Sequence, residues 1–110
     1  MTVINREEVL GRLGGDEELY AEICGLFLRD GQMLLDRLRS EFAAGTLDVA
    51  SRYAQSIKTM AVNVGAEELA RLASRAEQAG RAGDAAVLGG YLPQLERQLH
   101  AVLKQLPTKT

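Results

Sequence analysis

Few side chains in this 110-residue sequence are equipped for chemistry. There is one histidine, His100, and one cysteine, Cys24. His100 stands beside Leu99 at the margin of an apolar stripe and reads as a boundary residue. Cys24 falls between Ile23 and Phe27 on the buried side of a helix, as a small core hydrophobe. One of each makes no ligand cluster for a metal. Nor does a glycine-rich loop follow a strand to cradle phosphate, so neither a metal nor a cofactor is expected. What remains is one polar helix face. With 100° per residue and Gln55 set at zero, Asp48, Ser51, Arg52, Lys58, Thr59 and Val62 fall within about 60° of it. Leu47, Ala50, Tyr53, Ala54, Ile57, Met60, Ala61 and Val64 take the opposite arc. Gln55 is therefore near the centre of a solvent face on which Val62 is the apolar exception.

The elements that must position this face are helices. Leu and Ala dominate the apolar residues, Ile and Val are sparse, and there are two prolines and no Trp. That mix favours helix over strand. Glycines punctuate the chain, and between them apolar residues recur every three or four positions. A short helix is expected over Arg6–Leu13, ending at Gly14-Gly15. Asp16 is placed to cap a second helix whose first turn carries Glu17 and Glu18. It runs to Gly45, about 28 residues, with Leu19, Ile23, Phe27, Leu34, Leu38 and Phe42 as its stripe and Gly31 as a place to bend. Thr46 is expected to cap the third helix, which ends near Asn63 with Gly65 as its stop. A fourth spans Ala66 to about Arg81, with Ala70, Ala73 and Ala76 allowing close approach. The last carries Leu88, Leu92, Leu95, Leu99, Val102, Leu103 and Leu106, and it either kinks near Pro93 or begins just before it. Short connections make neighbours antiparallel. The expected architecture is all-α: an up-and-down antiparallel four-helix bundle with a short extra N-terminal helix.

The length fits one domain spanning residues 1–110, with a loose tail from about Pro107. A formal charge of −2 supplies no basic face for nucleic acid. No apolar run approaches the roughly 20 residues of a membrane span, and the first residues carry no export pattern. A monomeric cytoplasmic protein or module is expected.

The run Ala54-Gln55-Ser56-Ile57-Lys58-Thr59, continuing to Gly65-Ala66, resembles the motif of histidine-containing phosphotransfer (HPt) domains. That family reads His, any residue, Leu or Ile, Lys, Gly, then a glycine six residues on. The resemblance implies a four-helix bundle that relays phosphoryl groups between receiver-domain aspartates in two-component signalling, with a receiver domain or histidine kinase as partner. Ile57, Lys58 and Gly65 match. Gln55 stands where the accepting His belongs, and Thr59 where the family usually has Gly.

The departure at Gln55 has a chemical consequence. An imidazole nitrogen offers a free lone pair to phosphorus, whereas the Gln amide nitrogen has its lone pair delocalised into the carbonyl. No catalytic residue is expected. The resemblance then implies a non-catalytic docking module whose partner face comprises Ser51, Arg52, Gln55, Lys58, Thr59 and Val62. Three other readings stand beside it: a phosphorelay domain whose acceptor His has been replaced by Gln, a structural or oligomerising bundle unrelated to phosphorelay, and a small enzyme using His100.

Overall fold

The computed structural model describes residues 3–106, so the tail expected from Pro107 lies outside the described residues. The described chain is all-α. Five helices follow one another: α1 (Arg6–Arg12), α2 (Glu17–Ala44), α3 (Leu47–Val64), α4 (Glu67–Arg81) and α5 (Ala85–Gln105). Among the described residues there is no strand. α3 packs between α2 and α4, α4 packs on α5, and α5 returns to α2, which closes the four-helix ring. α1 lies across α2 and α3. This is the expected bundle with its short extra helix.

Helix starts follow local chemistry. The Asp16 carboxylate accepts from the Leu19 amide at 3.0 Å, satisfying a donor that has no partner within the helix. Asn5 and Asp84 do the same for Glu8 and Val87. Thr46 differs from expectation. It occupies the N-cap position of α3 but makes no capping bond; its hydroxyl instead turns back to Glu41, with the carboxylate at 2.9 Å and the carbonyl at 3.1 Å. The hydroxyl joins the Thr46 amide, which already donates to that carbonyl at 3.0 Å, in closing the end of α2.

The buried line of α2 is also rotated from the expected stripe. Tyr20, Cys24, Phe27, Gly31, Leu35 and Leu38 face the core, while Leu19 is 40% exposed. Gly31, a proposed bend, is buried against Phe27 and Leu99 within unbroken α2. In α5 the helix begins at Ala85 and continues through Pro93, so the later start is overturned. The cap at Asp84 and the burial of Leu88 hold the turns ahead of the proline.

Two contacts fix the end and flank of α3. Gly65 ends the helix with φ +86°, a conformation costly for any residue with a Cβ. The Asn5 amide donates to its carbonyl at 2.8 Å, and a Cβ at Gly65 would stand 2.7 Å from the Asn5 oxygen. Along the flank, Gly80 lets α4 come so close that a Cβ there would lie 2.8 Å from the Ser51 Cβ. Ala50, Ala54, Ala61, Ala73 and Ala76 are buried, as a close crossing of small residues requires.

Candidate functional site

The outward face of α3 presents Arg52, Gln55, Thr59 and Val62 to solvent. Val62 is 43% exposed, a large apolar side chain left open on an otherwise polar face. Thr59 is tied to the preceding turn, its hydroxyl donating to the Gln55 carbonyl at 3.1 Å. That bond is the usual way a mid-helix threonine satisfies its hydroxyl. The methyl group of Thr59 thus belongs to the same local surface as Gln55.

Two of the six expected face residues behave differently. Ser51 is buried at 4% exposure, and its hydroxyl is spent on the Asp48 carbonyl at 2.6 Å. It lies at the edge of the polar arc, where the close approach of α4 through Gly80 covers it. It is therefore not part of the exposed face. Lys58 is half-buried, and its ammonium donates to Glu77 of α4 at 2.9 Å. Glu77 itself is only 5% exposed. The sequence reading missed this partner because a Glu within an Ala-rich helix looks like an ordinary solvated charge.

The sequence reading also missed what α1 and α2 contribute. The Arg12 guanidinium donates to the Val62 carbonyl at 3.2 Å, bringing α1 onto the end of the face. A cleft of about 340 Å³ opens there between α1, α3 and α4, with Arg12, Lys58, Val62, Ala70 and Arg71 among its lining. On the other side, Ile23 and Leu26 of α2 meet Met60 and Asn63 of α3 around a smaller groove. The Tyr20 hydroxyl donates to the Val64 carbonyl at 3.1 Å. Counting nine residues along each antiparallel helix from that contact sets Gln55 level with Arg29, between the exposed Leu26 and Met33. Leu19, Leu26 and Met33 recur at seven-residue spacing, which places them on one side of α2. The signal was present in the sequence, since a core line through Tyr20, Cys24 and Phe27 leaves those three outside it.

The remaining chemically capable groups lie elsewhere. The His100 ring pairs with Gln32 at 3.2 Å, on the α5–α2 side of the bundle. Cys24 is fully buried. Burial pushes its thiol upward, and it also raises the Tyr20 hydroxyl from 10.0 to about 12, with a hydrogen bond to Cys24 adding to the effect. Among the described residues no three His, Cys, Asp or Glu side chains group to hold a metal, and no helix is long and apolar enough to cross a membrane.

No curated protein and no solved structure matches the chain. The Hpt domain family model matches residues 22–105, which takes in the four bundle helices almost entirely. Hpt domains are phosphocarrier modules of two-component signalling that interact with receiver domains and kinases. By this match, across the helices that build the exposed face of α3, the chain belongs to the Hpt domain family.

Proposed function

We propose that this Hpt domain docks a receiver domain, or a kinase, through the face around Gln55 and carries no phosphoryl group there. The observation that carries the reading is the exposed position of Gln55, at the centre of the face and flanked by open apolar side chains. Arg52, Gln55, Thr59 and Val62 supply the α3 part of the contact, and Leu26 and Met33 extend it onto α2. Lys58 borders it from within an ion pair. The amide nitrogen at position 55 has its lone pair delocalised into the carbonyl and is no nucleophile comparable to an imidazole, so docking is separated from transfer. Such a domain competes with a working relay partner or holds a receiver in place.

The test joins two measurements on one mixture. Incubated with a phosphorylated receiver, the protein is expected to bind it and to acquire no acid-labile, base-stable phosphate. Label that appears on the wild-type chain and survives His100→Ala overturns the reading. The seven-residue spacing of exposed Leu19, Leu26 and Met33 favours a second reading, a self-associating bundle. Sedimentation showing a stable dimer, with no affinity for any receiver, would establish that one instead.

A further inference from the structure

Glu77 is a carboxylate in a place where carboxylates are costly. It lies on α4 at 5% exposure, and burial of a charge is tolerated only when partners compensate it. It has two. The Lys58 ammonium donates to Oε1 at 2.9 Å, and the Arg81 guanidinium, one turn further along α4, stands 3.4 Å from Oε2. The three residues form a triad in which two cations are committed to one buried anion.

The position of Lys58 gives this commitment a consequence. It follows Gln55 by three residues on the same helix, and helical side chains lean toward the N-terminus. Lys58 thus leans back toward position 55, while the exposed Arg52, three residues before, leans away. A phosphoryl group brings nearly two negative charges at neutral pH, and its transfer is assisted by cations free to meet it. Lys58 can turn to such a group only by leaving a buried carboxylate with half its compensation.

We propose that Glu77 is a positioning residue that acts through Lys58, holding it in the triad and so withholding it from phosphoryl groups that reach the face. Its meaning for receivers rests on the docking reading, while the withdrawal of charge stands on the triad alone. A docked receiver then meets the same face whether or not its aspartate is phosphorylated.

The experiment separates these two parts. In the Gln55→His background, phosphoramidate is the donor: the imidazole nitrogen bonds to phosphorus, the phosphorus–nitrogen bond of the donor breaks, and ammonia leaves. Phosphoramidate needs no docking surface. Phosphohistidine followed by phosphorus NMR is expected to form on the order of tenfold faster when Glu77→Gln is added. Adding Lys58→Met as well is expected to abolish that gain. Rates within twofold with and without Glu77→Gln overturn the proposal, as does a gain that persists without Lys58. Glu77→Met, uncharged and of similar size, takes the place of Glu77→Gln if circular dichroism shows the latter unfolded.

The second arm measures receiver affinity with and without beryllofluoride on the receiver's aspartate. The wild-type domain is expected to bind both forms within twofold, and Glu77→Gln to prefer the loaded form about tenfold. A wild-type domain that already discriminates tenfold overturns the proposal. A faster phosphoramidate reaction with no receiver bound by any variant upholds the role of Glu77 and overturns the docking reading instead.

Discussion

The Tyr20 hydroxyl, in the first turns of α2, donates to the carbonyl of Val64, the last residue of α3, at 3.1 Å. It ties the start of one helix to the end of its antiparallel neighbour, and it satisfies a carbonyl that the helix itself leaves without a partner. Burial holds that hydroxyl protonated up to about 12, against 10.0 ordinarily. In the unfolded chain the proton leaves first, so over this range the folded state binds the extra proton. The contribution is complete below pH 10 and is lost as pH rises toward about 12, roughly 2–3 kcal/mol in all. Tyr20→Phe is expected to remove this part of the alkaline loss and to cost about 1 kcal/mol near neutral pH through the missing hydrogen bond. Urea denaturation across the alkaline range checks both, and identical alkaline slopes in the two proteins would exclude Tyr20 as the cause.

Gly65 is expected to tolerate no side chain. Its φ of +86° disfavours any Cβ, and that Cβ would stand 2.7 Å from the Asn5 oxygen and 2.9 Å from Val9. Backbone strain and the clash add, so Gly65→Ala should lose about 2–4 kcal/mol. Because Asn5 and Val9 belong to the N-terminal segment, the variant should also lose amide-exchange protection in α1 before the bundle helices lose theirs. Uniform loss across all five helices would count against a local origin.

Much of this arrangement is legible in the sequence, and the exceptions have a common cause. Helix ends are written locally, in Asp16, Gly45, Gly65 and Asp84, so element order and the four-helix ring follow from them. Rotation of a helix about its axis is decided by neighbours. The α2 stripe was misplaced because Tyr20 and Gly31 carry little apolar signal, yet they fit against Val64 and Leu99. Ser51 illustrates the same point at the site: its angle on the wheel is polar, but Gly80 brings α4 over it. Lys58 is half-buried, and its partner is not legible in the sequence, since only the fold brings Glu77 within 2.9 Å.

Val62 provides a test of the face that leaves the fold alone. At 43% exposure it contributes little to the core, so Val62→Glu should change stability by less than about 0.5 kcal/mol. In a docked complex the new carboxylate would be buried without a partner, which commonly costs several kcal/mol. Receiver affinity is therefore expected to fall at least about a hundredfold. Calorimetric titration of the wild-type and variant domains decides it. Unchanged affinity in a folded variant would move the contact elsewhere on the bundle.

An acceptor introduced at position 55 needs more than an imidazole to take phosphate from a receiver. Gln55→His places an imidazole at the centre of the exposed face, with nothing in the fold to bury it. Thr59 follows by four residues, and its hydroxyl is anchored to the carbonyl of that same position at 3.1 Å. The anchor fixes the rotamer, and with it the methyl group, over ground that an incoming receiver loop must cross. Phosphoryl transfer between two proteins requires near in-line contact, and a displacement of about 1 Å can cost on the order of a hundredfold in rate. Gln55→His alone is therefore expected to accept phosphate from a receiver slowly or not at all. Adding Thr59→Gly removes both the methyl group and its anchor, at a helical cost of about 1 kcal/mol that the packed bundle can bear. The double variant should accept phosphate clearly faster, measured as label moving from a phosphorylated receiver to each protein. Equal rates in the single and double variants would show that Thr59 does not obstruct the approach. A double variant that folds and binds the receiver, yet stays unlabelled until Glu77→Gln is added, would place the remaining barrier in the charge held by the triad rather than in the shape of the face.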